Sequence, residues 1–253
     1  MKELGRKNES LLRSLYTRHG RKKHNMCICE GLRCCRELLL SAPALLEFAV
    51  CSEKFDPSSL DVDFYIIPEE KFNSISATVN SQGVLFAARK PDTSPDASGV
   101  PSDAFITVLD RIGDPGNFGT IARTLKAAGL KELWITSGTV DPFSDKAIRS
   151  GMSAQFSLNI REFNGLPELA AFLRANNYGS IFRTDPHDGR SCFTETGLFD
   201  KSAVIFGSEG GGAGELEGSI PLMIPMPGDY ESINVAQAAT VIIFEYVRRL
   251  YAI

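Results

Sequence analysis

The stretch IPMPGDYESINVAQAA, residues 224–239, decides the fold. Its prolines cannot continue a strand ladder, so the backbone must leave a β-sheet at Pro225. Gly228 and Asp229 favour a turn, and apolar residues then recur at helical spacing from Val235 onward. The stretch therefore predicts a strand, a polar loop and a long helix. By itself, such a pattern is more often an ordinary strand–turn–helix with a Ser or Asn cap than a binding site.

The composition is that of a globular protein with one or two domains. The chain has 253 residues, of which 43% are hydrophobic and 23% charged. No apolar run is long enough to span a bilayer, and the N-terminus lacks the apolar segment of a signal peptide. We therefore expect a cytoplasmic protein without membrane contact.

Cysteine usage indicates reduced thiols rather than a metal site. The spacing is not that of a zinc ribbon, because no second C-x-x-C pair exists. The six thiols are interpreted as mostly buried groups of a cytosolic protein, and no metal is expected. They are Cys27, Cys29, Cys34, Cys35, Cys51 and Cys192.

Charge is distributed unevenly along the chain. The net charge is -4, which does not indicate nucleic-acid binding. Residues 1–40, however, hold ten Lys/Arg and four Asp/Glu, or +6, and the remaining residues hold 17 and 27, or -10. The basic cluster at Arg18, Arg21, Lys22 and Lys23 could track phosphates, or it could be a solvated helical face.

The first part of the chain reads as a small α/β unit. Residues 20–26 are expected to break the first helix, and the segment KPDTSPDASGVPSD, residues 90–103, has the composition of a linker. We therefore predict a small domain at 1–92, a linker at 93–103 and a larger domain at 104–253. The predicted helices of the first unit are 2–19, 30–41 and 68–75, and its predicted strands are 45–50, 62–67 and 84–88.

The second part alternates strands with helices. Its strands are apolar runs rather than period-two patterns, which predicts a mostly parallel sheet covered on both faces. Asp114–Asn117 favours a type II turn, with Asn117 as N-cap of a helix that ends near Gly129. Further helices are predicted at 144–151, at 167–176 and from 235, with strands at 105–109, 133–136, 156–160, 180–183, 203–206 and 222–224.

Three loops follow predicted parallel strands, at 110–123, 207–214 and 225–234. Such loops lie at the carboxyl ends of the strands, and open parallel sheets bind ligands at that edge. The glycine-rich loop at 207–214 is neither a P-loop nor a dinucleotide fingerprint, since the required residues are missing. Its glycines indicate close backbone approach, either to a ligand or to another segment of chain. Taken singly, Asn117 is most often a cap, Arg123 a surface ion-pair partner and Glu209 a solvated carboxylate.

Taken together, the loops resemble the three signature motifs of the SpoU (TrmH-like) branch of the SPOUT RNA methyltransferases. The motifs are NFGTIART at 117–124, VIFGSEGGG at 204–212 and IPMPG through ESINVA at 224–236. KAIRSGM, residues 146–152, is similar to the family's intervening basic helix, and the match spans about 104–253. Glu30-Gly31 and Gln82-Gly83-Val84 resemble weaker marks of the small α/β RNA-binding domain that many members carry.

The resemblance implies an α/β protein whose C-terminal, mostly parallel sheet carries a deep trefoil knot, preceded by a small α/β RNA-binding domain. It also implies S-adenosylmethionine as cofactor and methyl transfer to a ribose 2′-hydroxyl of rRNA or tRNA. The partners implied are RNA and a second copy of the chain, bound through the knot region. The alternatives are a non-catalytic RNA-binding protein that has kept the fold, and methylation of a base.

Site residues carry over by position. Cofactor contacts in the family are largely made by backbone, and they fall on Gly207, Ile224, Met226 and Ile233. The polar active-site positions are Asn117, Arg123, Glu209, Ser232 and Asn234. Arg123 is the family's candidate for activating the 2′-hydroxyl. Because a guanidinium stays protonated, we expect Arg123 instead to grip a flanking phosphate and stabilise alkoxide charge.

Overall fold

The computed structural model describes residues 4–208, 210–229 and 231–251. The helices are α1 (Arg6–Leu15), α2 (Arg18–His24), α3 (Leu32–Ser41), α4 (Glu69–Ile75), α5 (Pro115–Ala127), α6 (Asp145–Gly151), α7 (Leu166–Ala175) and α8 (Val235–Tyr251). The strands are β1 (Met26–Glu30), β2 (Leu46–Ser52), β3 (Phe64–Ile67), β4 (Val84–Arg89), β5 (Phe105–Asp110), β6 (Glu132–Thr136), β7 (Asn159–Phe163), β8 (Ser180–Thr184), β9 (Arg190–Ser191), β10 (Ser202–Gly207) and β11 (Ile220–Met223).

The chain forms two compact units. The first comprises Met1–Pro91 together with Asp141–Ser157, and the second comprises Asp92–Val140 together with Leu158–Ile253. Compact units are not folding domains, so the predicted division into 1–92, 93–103 and 104–253 stays a prediction.

The first unit is built on a four-stranded sheet in the order β1-β4-β2-β3. Strand β4 is antiparallel to both of its neighbours, and β2 and β3 are parallel. Leu12 and Leu15 of α1 pack with Val50, Phe72 and Leu85 in one apolar cluster. The segment that carries α6 is joined to this unit by an ion pair of 2.6 Å between Arg21 Nε and Asp141 Oδ2.

The N-terminal helix differs from its prediction. It ends at Leu15, and a second helix begins because the Thr17 hydroxyl oxygen accepts a hydrogen bond from the Gly20 amide at 3.0 Å. The break predicted at 20–26 is therefore wrong for residues 20–24, which belong to α2. Strand β1 was not predicted, because its five residues, MCICE, are short and rich in cysteine. Arg21 is buried and so does not belong to the solvent-facing basic cluster.

The second unit contains a seven-stranded sheet in the order β7-β6-β5-β10-β8-β11-β9. Every neighbouring pair is parallel, which confirms the predicted α/β class and parallel sheet. Ile106 and Val108 of β5 pack with α7 on one face. Phe105 points the other way and meets the ring of Tyr246 on α8, with 5.4 Å between centroids. Helices therefore cover both faces, while the knot stays a prediction.

Helix α5 begins earlier than expected. Its N-cap is Asp114, whose carboxylate accepts from the Asn117 amide at 2.8 Å. The predicted type II turn and the Asn117 cap are therefore wrong. Proline is favoured in the first helical turn, where its missing N–H costs nothing, so Pro115 starts the helix instead of a turn. Strand β7 lies three residues beyond the start of the predicted strand 156–160, because residues 154–157 form a 3₁₀ turn.

The proline- and serine-rich segment before β5 is bonded to other parts of the second unit. The Glu162 amide donates to the Thr93 carbonyl at 2.8 Å, and Arg161 donates to the carbonyls of Pro95 and Gly99. Arg161 also pairs with Glu132, and both side chains are fully buried. Breaking a buried pair leaves an uncompensated charge, so the pair with Glu132 fixes the Arg161 side chain. Arg161 in turn holds the segment through its bonds to Pro95 and Gly99.

Two absences concern the described residues only. None of their helices has the length and apolar character needed to cross a membrane. No group of three or more His, Cys, Asp or Glu side chains is placed to hold a metal ion. The six cysteines are all free and buried, as predicted.

Candidate active site

The carboxyl ends of three parallel strands meet at one edge of the second sheet. Strand β8 ends at Thr184, β10 at Gly207 and β11 at Met223. A cavity of about 450 Å³ opens there. Its walls come from the residues after these strands and from the start of α8: Thr184, Asp185, Pro186, Gly207, Ser208, Gly210, Gly212, Ala213, Leu222, Ile224, Met226, Ser232, Ile233, Asn234, Val235 and Ala238.

Gly207 lies where the loop after β10 folds back on its own strand. A Cβ atom at this position would overlap the backbone of Gly212 and Ala213. The reversal is closed by a bridge between Ser208 and Gly212. The chain thus comes closer to Gly207 than any side chain would permit. This contact answers the question that the sequence left open, since a crossing of chain segments accounts for Gly207 without a ligand.

The C-terminal segment forms the facing wall of the cavity. Ile224, Met226 and Ile233, all predicted cofactor contacts, line it together with Gly207. Asn234 caps α8, because its Oδ1 accepts from the Ala236 amide at 2.9 Å. The ordinary capping role considered for this stretch is therefore present, and a cavity lies beside it.

Asn234 also joins the first and third motifs. Its Nδ2 donates to Asn117 Oδ1 at 3.0 Å, so one side chain caps α8 and holds the first turn of α5. The two helices touch again where the hydroxyls of Thr124 and Thr240 lie 3.4 Å apart. Asn117 is thus connected to the cavity through Asn234 and is not itself part of the lining.

The remaining predicted polar residues are placed differently. Ser232 lines the cavity and is exposed. Arg123 is exposed on α5, outside the lining, and makes no hydrogen bond or ion pair within the described part of the chain. Glu209 lies outside the described residues. The structure therefore gathers Asn117, Ser232 and Asn234 and leaves Arg123 facing solvent.

Asp185 is a cavity residue that the sequence analysis missed. It follows β8 directly, and its carboxylate accepts from the backbone amides of His187 and Asp188 at 3.0 and 3.1 Å. The bond from His187 is the main reason that the pKa of Asp185 is lowered, so the group is anionic at neutral pH. A polar residue at the carboxyl end of a parallel strand was the available signal.

Asp110 is a buried hydrogen-bond acceptor at this edge of the sheet. It is buried at the end of β5 and accepts from the Thr136 hydroxyl at 2.6 Å. Its other oxygen accepts from Arg111 and from the amide of Gly214, at 3.0 Å for the latter. One carboxylate thereby connects β5, β6 and the loop after β10. No sequence signal separated it from an ordinary strand-end aspartate.

Comparison with known proteins identifies the family. The model of the SpoU rRNA Methylase family matches residues 104–244. The chain belongs to the SpoU rRNA methylase family. A second model, the MRM3-like substrate binding domain, matches residues 10–86. The family assignment predicted from the three motifs is thereby confirmed.

Individual relatives support this family assignment. The chain is 30% identical to the 23S rRNA (guanosine(2553)-2′-O)-methyltransferase RlmP of Bacillus subtilis over 237 residues, covering 92% of each protein. A TrmH-family structure from Porphyromonas gingivalis matches with a TM-score of 0.82 and 26% identity over 98% of this chain and 100% of that one. The SpoU methyltransferase AviRb of Streptomyces viridochromogenes, solved with AdoMet, matches with a TM-score of 0.82 over 96% and 98% at 21% identity, which shows the shared fold alone.

Proposed function

We propose that this protein is an S-adenosylmethionine-dependent methyltransferase acting on a ribose 2′-hydroxyl of rRNA or tRNA. One observation carries the proposal: the second and third motifs, far apart in sequence, form facing walls of one cavity at the carboxyl edge of a parallel sheet. Membership of the SpoU family and the named activity of RlmP support it.

The cavity fits the cofactor. Its volume of about 450 Å³ lies within the range of roughly 300–1,000 Å³ found for small-molecule pockets. Gly207, Ile224, Met226 and Ile233 would hold the cofactor. The Asp185 carboxylate lines the same cavity, where it is paired with Arg183 at 3.4 Å. S-adenosylmethionine carries an amino group and a sulfonium, and when bound it supplies an electrophilic methyl group.

The polar residues would act on the RNA. Arg123 has no partner within the described residues, so its fork of donors is available to grip a phosphate flanking the reactive ribose. The same charge would stabilise the developing alkoxide, while the proton leaves to phosphate or water. The pair Asn117–Asn234 and Ser232 would orient the ribose or Arg123, and Glu209 would supply a polar contact near the third motif.

Two further elements belong to the proposal. A homodimer formed through the knot region would cover apolar side chains that α8 exposes, among them Phe244 at 45% and Leu250 at 60%. A cytoplasmic location would match an rRNA or tRNA substrate.

The first test is transfer of radiolabelled methyl from S-adenosylmethionine to rRNA and tRNA of a deletion strain, followed by nuclease digestion and mass analysis. Methyl on ribose is expected, and methyl on a base would overturn the proposed chemistry. Calorimetry supplies a second arm, since a non-catalytic RNA-binding protein that retained the fold would bind no S-adenosylmethionine.

The role of Arg123 is tested by Arg123→Lys in single-turnover experiments. Loss of a forked donor is expected to slow methyl transfer by about 10²- to 10³-fold, the usual cost of removing one transition-state donor. Half-buried Lys126 on the same helix supplies a basic site for comparison, as Lys126→Arg. Near-normal rates for Arg123→Lys would exclude the phosphate-gripping role.

A further inference from the structure

The first unit contains a second cavity, of about 440 Å³, which the mechanism proposed above does not use, although motif residues such as Gly31, Gln82 and Arg149 line it. It lies between the turn that joins β1 to α3, the loop of residues 78–82 and the end of α6. Arg33, Asn80, Gln82 and Arg149 are the side chains in its lining that can donate hydrogen bonds through nitrogen.

Two acceptors in this lining, Glu30 and Gln82, are already used. The buried carboxylate of Glu30 accepts from the hydroxyls of Tyr16 and Ser81 at 3.2 and 3.0 Å, and from the hydroxyl of Ser76. The side-chain oxygen of Gln82 accepts from the Leu32 amide at 2.9 Å. These bonds fix the loop against the start of α3 and occupy both of these acceptors.

The donors, by contrast, are largely open. Arg33 and Asn80 are exposed, and neither makes a side-chain hydrogen bond within the described part of the chain. Arg149 uses one nitrogen on Asp145, at 2.9 Å, and another on Thr78, at a long 3.4 Å. A guanidinium has five N–H donors, so Arg149 is held in place with donors to spare.

The charges point the same way. Asp145 is matched by Arg149, and the Glu30 carboxylate is buried and bonded to hydroxyl donors, which leaves Arg33 as an exposed charge at the cavity without an ion-pair partner in the described part of the chain. The N-cap residue of α3, Gly31, offers no side-chain cap, and Gln82 satisfies the Leu32 amide, so the positive end of the helix dipole at this region is met by a neutral acceptor alone. A ligand that suits this lining is anionic and rich in acceptor oxygens.

We propose that this cavity binds one nucleotide of an RNA, with its phosphodiester between Arg33 and Arg149 and its base facing the amides of Asn80 and Gln82. The proposal rests on the proposed function in one respect, that the ligand is RNA. The match of residues 10–86 to a substrate binding domain supports RNA over an acidic peptide. Arginine is the residue best suited to bidentate phosphate contact, and side-chain amides read base edges.

The test uses the full chain and a short fluorescein-labelled single-stranded RNA of mixed sequence, followed by anisotropy over a series of salt concentrations. Arg33→Gln is expected to raise the Kd by about five- to tenfold and to reduce the slope of log Kd against log salt by about 1, the signature of one lost phosphate contact. Asn80→Ala is expected to raise the Kd by about threefold without changing that slope.

Arg36→Gln is the matched control, because Arg36 is an exposed arginine on the same helix that does not line the cavity. Equal losses for Arg33→Gln and Arg36→Gln would mean non-specific surface charge and would overturn the proposal. So would unchanged RNA binding by Arg33→Gln. Competition by inorganic phosphate or by a polyglutamate peptide as strong as competition by unlabelled RNA would assign the cavity to a free anion or an acidic peptide instead.

Binding of S-adenosylmethionine to Arg33→Gln, measured by calorimetry, separates this proposal from the proposed function. It is expected to be unchanged, because the cofactor cavity lies in the second unit. If wild-type protein transferred no methyl group, the proposed function would be refuted. An RNA affinity that depended on Arg33 would still support RNA binding at this cavity.

Discussion

Gly207 closes the loop over the end of β10, and it has no space for a side chain. Gly207→Ala is expected to displace the loop of residues 208–213, weaken S-adenosylmethionine binding by more than about tenfold and lower stability by roughly 1–3 kcal/mol, the usual cost of overpacking. Calorimetry and urea denaturation measure the two effects. Gly228→Ala is the control, since its added Cβ would meet nothing within 4 Å. Equal behaviour of the two variants would contradict this account.

Some residues of the candidate site were predicted from the sequence, and others were not. Gly207, Ile224, Met226 and Ile233 were predicted from motif position, and all four line one cavity; their contact with cofactor stays a prediction. Asp110 was not predicted, because its bonds to Thr136 and Gly214 depend on segments that become neighbours only in the folded sheet. Asp185 was missed although its place after a parallel strand was a usable signal. Asn234 was predicted as polar, but its bond to Asn117 joins residues 117 positions apart, which no local pattern encodes.

At the scale of elements, helix α5 depends on the cap that the sequence analysis misplaced. Asp114→Ala removes the carboxylate that accepts from the Asn117 amide and is expected to lower the free energy of unfolding by about 0.5–2 kcal/mol. Urea denaturation checks this. Thr120→Ala, on the exposed side of the same helix, should be neutral or slightly stabilising, because alanine has the higher helix propensity. A smaller loss for Asp114→Ala than for Thr120→Ala would refute the cap.

Helix α8 is held near its end by a carboxylate. Glu245 accepts from Arg248 at 2.7 and 2.8 Å and from Arg249 at 2.7 Å, and Arg249 also donates to the carbonyls of Cys192 and Glu195. The bonds from Arg248, followed by those from Arg249, lower the pKa of Glu245 to about 2. The helix is thereby attached to the segment of residues 192–195.

This clamp predicts a pH dependence of stability. A depressed carboxyl pKa contributes stability above the pKa of the unfolded chain, about 4.3, and loses it as pH falls through the folded value. Glu245→Gln should therefore unfold at lower urea than wild type at neutral pH, and the gap should close as pH falls from about 5 towards 2. Exposed Glu215→Gln serves as control. A gap that stayed constant with pH would exclude the ionised clamp as its cause.

The elements themselves were predicted unevenly, for physical reasons. Long apolar runs such as β5 and β10 were found because complete burial demands them. Strand β1 and the two-residue β9 escaped because short strands depend on partners, β4 and β11, for their definition. Helix α2 was missed because its sequence RHGRKKH carries no apolar stripe, and it is fixed instead by the Thr17 cap and the buried pair of Arg21 with Asp141.

At the scale of the whole molecule, the proposed dimer gives a direct test. Phe244→Glu places a charge on the exposed apolar side of α8 and is expected to convert a dimer into a monomer, because an unpaired charge is costly to bury. Light scattering on a gel-filtration column measures the mass. Val79→Glu, at a residue 99% exposed in the first unit, should leave the dimer intact. A monomeric wild-type protein, or a dimeric Phe244→Glu, would refute the proposed interface.

The segment Asp141–Ser157 has a consequence for how this protein can recombine with its relatives. It is encoded between β6 and β7 of the second unit, yet it packs with the first, where Asp141 neutralises the buried Arg21. A crossover in the segment of residues 93–103 would therefore separate residues 1–91 from the 141–157 segment of the same parent. The first unit of the chimaera would then receive the other parent's partner for Arg21. Viable chimaeras should preserve an acidic residue at 141 or transfer the segment together with residues 1–91.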